Sequence, residues 1–591
     1  MKQITNIEIR KSAGTENAGV NCSFELLERQ GEVALYRFVY ASEIGEEPSA
    51  VTVQWRIPSV NVFSTWNPEV RFERALRTVC TAGILNRSRI SHSAPVQTLI
   101  GQDGMNTCTV AVSDAVLPLT INTQIYEEDM DVLCQITFFS LPVKRLNHYE
   151  AIVRLDFRTI PYYEAIADVE KWWSRDLGME AAKVPEAARD ALYSTWYSYH
   201  HDIAEKAVVE QCRKAVKMGM KTVILDAGWN MASETEHRLG DWKVYNPAVN
   251  GLVPMVDAIH ELGMKFVLWF SIPFLSRDAE IWNRFGEYVL DNKTSGRWYC
   301  LDPRYPDVRE YLINVYEKAV KEWKLDGLKL DFVNSFELGD SAKQPDDRRD
   351  YESLEEAVAR LLEDISKRLR SIKEDILLEF RQPYIGPKAR MTGNMLRVND
   401  CPNDALFNRV GVMDLRLLSG QSAVHSDMIR WNKEETPQGC ARQLIAVLFG
   451  VPQISVKIEE QNEEQRAALQ FYLDFWNENR DILLDGKLIP LNPEMNFSVV
   501  EARGEEKAIT VCYGKNYIKS DRRWAEHIII NSCDEEVIIL DYSGEEYTAE
   551  LSVYDCMGNL VREEMCTIRQ GLNGFAVPES GMMVVKNRDC R

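Results

Sequence analysis

The chain has 591 residues, 45% hydrophobic and 27% charged, the usage of a folded globular protein long enough for two or three domains. Asp and Glu total 90 against 69 Lys and Arg, a net charge of −21, and that field repels phosphate backbones and anionic lipid heads, so no nucleic acid partner is expected. The opening MKQITNIEIRKSAG has no unbroken apolar run and no segment reaches the roughly 20 apolar residues of a membrane span, which predicts no membrane partner and a cytoplasmic protein.

Up to about residue 180 the pattern is strand-like. Short alternating runs, GEVALYRFVYAS (31–42), AVTVQWRI (50–57), VLCQITFFSL (132–141) and YEAIVRLDFRTI (149–160), are separated by Gly, Pro, Asn and Asp, and predict an N-terminal β-sandwich over 1–182. From about 186, apolar runs of five to eight residues alternate with amphipathic stretches such as 204–219, 308–323 and 352–372, the mark of parallel βα units. Strand candidates in this region are 191–198, 222–229, 265–271, 326–332, 375–381, 394–400, 422–428 and 451–457. Eight is the number that a (β/α)8 TIM barrel requires, here over 183–482. An open doubly wound sheet would want a G-x-G-x-x-G or P-loop at its switch point, and the sequence has neither. After about 485 alternation returns at 497–502, 508–514, 527–532, 536–540, 547–555 and 581–587, predicting a small C-terminal β-sandwich over 483–591. The charged run 342–356 reads as a solvated loop leading into a helix. Thirteen scattered cysteines without a C-x-x-C pair are expected to be mostly reduced and structural.

The fold class is therefore α/β, and barrel enzymes place their chemistry at the C-terminal ends of the strands. In DGLKLDFVN, Lys329 and Asp331 lie two apart on a strand and share a face. If that face looks into the barrel, the ammonium keeps Asp331 ionised, as a nucleophile needs; an ordinary ion pair closing the strand has the same spacing. NMLRVND ends in Asp400, 69 residues after Asp331, so a second carboxylate stands on the rim, unless it only initiates the turn before Pro402. One ionised and one protonated carboxyl are what cleavage of a glycosidic bond asks for. Asp226 and Trp229 in LDAGWN, Trp269 in VLWF, Glu379 and Arg381 in LEFRQ, and His425 with Asp427 in AVHSDM complete a set suited to sugar hydroxyls and to the apolar face of a pyranose. Singly each has a plainer reading: Trp269 as a core residue, His425 as a hydrogen-bonded structural imidazole.

The order LDAGWN, GDW (240–242), GMKFVLWF, LDPRYPDVREYL, DGLKLDF and RVNDCPND resembles the α-galactosidase (melibiase) group of family 36 glycoside hydrolases, over about residues 186 to 475. The resemblance implies a retaining exo-acting α-glycosidase in which Asp331 is the nucleophile, Asp400 the acid/base, Lys329 and Asp226 bind sugar hydroxyls and Trp269 is the tryptophan of the family's LWF motif. It departs from the family at three places. Ala227 stands where a second aspartate usually precedes Gly-Trp; Ser271-Ile272-Pro273 follows LWF without the usual glutamate; and EFRQPYIGP replaces a glycine-rich segment, so that Arg381 and Tyr384 are expected to contact the sugar. The spacing of Asp400 from Arg397 keeps Asp404 in reserve as the acid, and Trp66 in FSTWNP is expected to complete the site from the N-terminal sandwich.

The expected substrate is a glycoside or oligosaccharide with a terminal α-linked sugar. Galactoside, α-N-acetylgalactosaminide, arabinopyranoside and transfer to another sugar all stay open, as does homo-oligomer formation. No cofactor and no metal are implied. Two rivals remain: a metal-dependent barrel enzyme with Asp226, Asp331, Glu379 and Asp400 around an ion and Lys329 as base, and a non-catalytic carbohydrate-binding relative.

Overall fold

Residues 4–11, 19–69, 71–81, 85–233, 236–294, 298–339 and 344–587 are described by a computed structural model. At its centre an eight-stranded parallel sheet runs β1 (Leu192–Ser194), β2 (Thr222–Leu225), β3 (Lys265–Ser271), β4 (Gly327–Asp331), β5 (Leu377–Arg381), β6 (Met395–Arg397), β7 (Ala423–His425) and β8 (Gln453–Ile454), with β8 hydrogen-bonded back to β1. A parallel bridge between His425 and Val451 closes the ring between β7 and β8. All eight expected strands are present, and the barrel is the expected one.

Each strand is followed by a helix: α1 (Glu205–Lys217), α2 (Leu252–His260), α3 (Pro306–Glu322), α4 (Leu354–Ile372), α5 (Pro387–Arg390), α6 (Ala405–Leu418), α7 (Pro437–Ile445) and α8 (Glu463–Asp485). Their starts are written locally. Pro opens α3, α5 and α7, where its missing N–H costs nothing. Ser353 caps α4 by accepting from Glu356 N, and Asn462 and Gln465 form a reciprocal capping box at α8.

Side chains alternate along each barrel strand, and the inward set changes character with height. At the N-terminal end Leu192, Ile224, Val267, Leu377, Met395 and Ala423 form an apolar plug. Two residues further along the same strands come Ser194, Asp226, Trp269, Glu379, Arg397 and His425, all buried. Gly327 lets β4 reach this ring, since a Cβ there would lie 2.4 Å from the Leu377 carbonyl oxygen.

The N-terminal region is two six-stranded sheets packed face to face, with Phe38 of one stacked on Phe138 of the other at 4.0 Å. The C-terminal region pairs a seven-stranded with a three-stranded sheet around Ile529, Leu540 and Val553. Strand Leu560–Ile568 escapes sequence reading because it is an edge strand exposed along almost its whole length, with Arg and Glu in place of alternating apolar residues. The part of the charged run that lies within the described residues is also less free than expected: Asp346 accepts from Tyr305, Arg309 binds Asp350 and Arg349 lies 3.3 Å from Asp302. The described cysteines are free thiols. Among the described residues no helix is long and apolar enough to cross a membrane.

The N-terminal sandwich docks on the barrel through specific polar contacts. Ser93 N donates to Pro383 O at 2.6 Å, and Lys144 binds Glu356 at 2.7 Å. The first of these holds the loop after β5, which carries Arg381 and Tyr384.

Candidate active site

Asp331 ends β4 with its carboxylate inside the barrel mouth, 7% exposed. Oδ1 accepts from Arg381 Nε at 2.7 Å and from Phe332 N at 2.8 Å, with the Tyr384 hydroxyl at 3.3 Å; Oδ2 accepts from Trp269 Nε1 at 3.1 Å. Phe332 has φ of 66°, a left-handed conformation uncommon for an aromatic residue and typical of a backbone shaped by a site. That turn aims its N–H back at the carboxylate. Burial alone would raise the Asp331 carboxyl, but Arg381, Lys329 and Arg397, with the Trp269 indole, outweigh it and hold the group well below the usual carboxylate range. It is an anion at every physiological pH.

One layer below, Lys329 Nζ donates to Asp226 Oδ2 at 2.6 Å and lies 3.9 Å from Glu379 Oε1. Burial pulls the ammonium down, yet Asp226 more than restores it. Arg397, 1% exposed, joins three carboxyl groups: Asp427 by a short hydrogen bond, Asp400 at 2.9 Å and Glu379 at 3.6 Å. Burial raises the carboxyls of Glu379 and Asp427 despite these cations. Asp400 differs from both. Its side chain is 53% exposed, standing on the rim just beyond β6, and Arg397, with Lys329 and Arg381, lowers its carboxyl against the effect of burial.

Arg381 links the parts. Besides Asp331 it donates through Nη1 to Gln382 O at 2.9 Å and Asn399 Oδ1 at 3.0 Å, and its guanidinium carbon lies 5.2 Å and 5.7 Å from the ring centres of Phe332 and Tyr384. Asn399 and Gln382 also line a cavity of about 370 Å³ between barrel and sandwich, walled on the other side by Glu69, Arg71 and His92. Among the described residues no three His, Cys, Asp or Glu side chains converge as metal ligands; Lys329, Arg381 and Arg397 are interleaved with the carboxylates instead.

Comparison with known proteins finds the same similarity. The melibiase family model matches residues 177–381. An α-galactosidase of Lactobacillus acidophilus is 30% identical over 159 residues, 26% of this chain and 21% of that protein, and an α-galactosidase of Geobacillus stearothermophilus is 28% identical over 170 residues, 27% and 23% of the two chains. The matched segment thus spans about a fifth of the length of these relatives. The family 36 α-galactosidase of Geobacillus stearothermophilus solved with raffinose superposes with TM-score 0.60 at 13% identity, over 99% of this chain and 87% of that one. The galactosidase domain of an α-galactosidase–sucrose kinase gives 0.62 at 13% identity, over 99% and 86%. Over residues 177–381 this chain is therefore similar in sequence to melibiases, and it shares the fold of the family 36 α-galactosidases.

The structure brings together Asp331, Asp400, Asp226, Lys329, Trp269, Arg381 and Arg397. It sets aside four other expected sugar contacts. Trp229 is fully buried with Nε1 on the Trp269 carbonyl, packed against Trp242, Phe270 and Trp323, because Gly228, at φ 119°, turns the chain out of strand geometry before it. His425 is fully buried one layer down, Nε2 on the Ala188 carbonyl and Nδ1 beside Gln453; burial lowers it to about 4, so it is neutral. Trp66 is fully buried under the sandwich, donating at 2.8 Å to Asp414 of α6, because its side chain faces the domain interface and not the mouth. Asp427 is likewise fully buried, its oxygens taken by Arg397, Cys401 N and Tyr197 OH, so it positions Arg397 and the chain after Asp400. Tyr384 is fully buried too and reaches the site only through its hydroxyl. Asp404 caps α6 by accepting from Phe407 N at 2.8 Å, which leaves Asp400 as the rim carboxylate.

Sequence reading passed over Tyr197, Phe332 and the contact of Asn399 with Arg381. No local signal marks Tyr197, whose partner lies 230 residues away. Asn399 sits beside the motif residue Asp400 and could have been weighed with it.

Proposed function

We propose that this chain is a glycoside hydrolase of the α-galactosidase type that releases terminal α-linked sugars with retention of configuration. The observation that carries the reading is the pairing of a buried, strongly ionised Asp331 with a half-exposed Asp400 on the same rim. In the first step an Asp331 oxygen bonds to the anomeric carbon as the bond to the leaving oxygen breaks, and Asp400 gives that oxygen a proton. In the second, Asp400 takes a proton from water, which attacks the anomeric carbon and frees Asp331. The Arg397 contact favours Asp400 as a carboxylate, the form needed in the second step. Trp269, Arg381 and the Phe332 N–H fix Asp331 for in-line attack, and such pre-orientation lowers the barrier without any movement at the moment of reaction. The cavity beyond Asn399 offers room for a leaving group. Lys329 and Asp226 form a charged pair suited to sugar hydroxyls.

Asp331→Asn is expected to lower kcat on the aryl α-glycoside most rapidly cleaved by the native chain by about 10³-fold or more, with azide restoring turnover as a glycosyl azide. Near-native kcat in this variant would overturn the assignment. Sugar binding with no product from a panel of aryl α-glycosides would favour the carbohydrate-binding alternative.

A further inference from the structure

We propose that Arg381 makes the sugar-binding subsite selective for a glycone that carries its own negative charge, a carboxylate or sulfate group. This rests on the glycosidase reading above. Arg381 is built into the site as a fixed cation: Nε is on Asp331, Nη1 on Gln382 O and Asn399 Oδ1, and the Phe332 and Tyr384 rings flank the guanidinium. Nη2 makes no hydrogen bond among the described residues and is not one of the sealed polar atoms, so one donor of the fork is left for a ligand. A planar fork with a free donor suits carboxylate and sulfate oxygens better than a single hydroxyl.

The pairing of charges points the same way. Lys329 meets Asp226 and Glu379, Arg397 meets Asp400, Asp427 and Glu379, and among the described residues Arg381 has Asp331 as its only carboxylate partner at contact distance. When Asp331 becomes an ester its charge is consumed, and Arg381, a buried cation, loses its contacting carboxylate, a costly change. The developing positive charge on the sugar ring faces the same cation. An anionic substituent on the glycone answers both, pairing with Arg381 as Asp331 is neutralised. Ala227, beside Asp226 at the end of β2, brings no carboxylate that would repel it.

The test uses the full chain and three probes: 4-nitrophenyl α-D-galactopyranoside, the corresponding α-D-galacturonide and the 2-O-sulfated galactoside. At least one anionic probe is expected to exceed the neutral one in kcat/KM by about 10- to 100-fold, the worth of a charge-assisted hydrogen bond. In Arg381→Gln that ratio should fall to within about threefold, while Arg381→Lys, which keeps the charge and loses the fork, falls between. If the neutral galactoside is cleaved as well as or better than both anionic probes, the inference fails and the glycosidase reading stands. If neither these probes nor the α-N-acetylgalactosaminide and α-arabinopyranoside analogues are cleaved, the glycosidase reading fails. The ligand class is then read from the Tm shifts that galactose, galacturonate and galactose 2-sulfate give to native protein and to Arg381→Gln. A larger shift with an anion, lost in the variant, supports the inference; equal or absent shifts overturn it.

Discussion

The two ends of one barrel interior differ more than any two domains of this molecule. At the N-terminal end Leu192, Ile224, Val267, Leu377, Met395 and Ala423 close the ring with hydrocarbon. One inward step along the same strands, Asp226, Lys329, Glu379 and Arg397 are as deeply buried and are held by one another and by Asp427, Asp400 and Gln453. Non-directional packing tolerates imperfect geometry, whereas a buried charge is stable only beside its partner. The mouth is therefore the end at which a single change is felt in both stability and chemistry.

That contrast can be broken from either side. Arg397→Met leaves Asp427 buried without its cation and is expected to destabilise the fold by about 3–5 kcal/mol, with activity lost even where the protein remains folded. Leu377→Ala in the plug should cost a similar amount, about 2–5 kcal/mol, yet leave kcat and KM near native in the folded fraction. Denaturant titration alongside kinetics at low temperature checks both; an Arg397→Met protein of native activity would remove the distinction.

Acid should act through buried imidazoles as well as through carboxylates. His425 and His527 are each lowered by burial to about 4, so between that value and about 6.5 the unfolded chain binds protons that the folded chain does not, and stability falls as pH falls. From pH 7 to pH 5 the loss is about 2 kcal/mol for each imidazole. Unfolding midpoints measured across this range test the sign, and His425→Gln should flatten the slope if it folds.

The smallest effect is expected away from the mouth. Trp66→Phe removes the indole donor to Asp414, which keeps Arg74 at 3.1 Å. A loss of about 1.5 kcal/mol in stability with KM unchanged is expected. A raised KM would return Trp66 to the sugar site.

The parts of the site that were readable in the sequence share one property: they lie on strands, where alternation assigns a face. Lys329 with Asp331, and Glu379 with Arg381, are pairs two residues apart, and both pairs point inward together. Trp229 misled because its strand had already ended at Leu225, and alternation says nothing about a side chain beyond a glycine turn. His425 misled in the other direction. Its face was right, in the ring of Asp226 and Arg397, but both of its nitrogens meet Ala188 O and Gln453, and period two gives inside or outside but not partners.

From the sequence alone the barrel, its two β-rich flanks and the strand-end positions of Asp331 and Asp400 could be derived, because hydrophobic periodicity and local turn chemistry act over a few residues; the roles expected of the two acids came from the resemblance to melibiases. Only the tertiary structure decided which cation meets which carboxylate. Arg381 could have faced solvent, Asp404 could have stood free of the cap it makes on Phe407 N, and Trp66 could have faced the mouth. Each of those outcomes depends on contacts between residues tens to hundreds of positions apart, and on the low-dielectric interior that makes such a contact count.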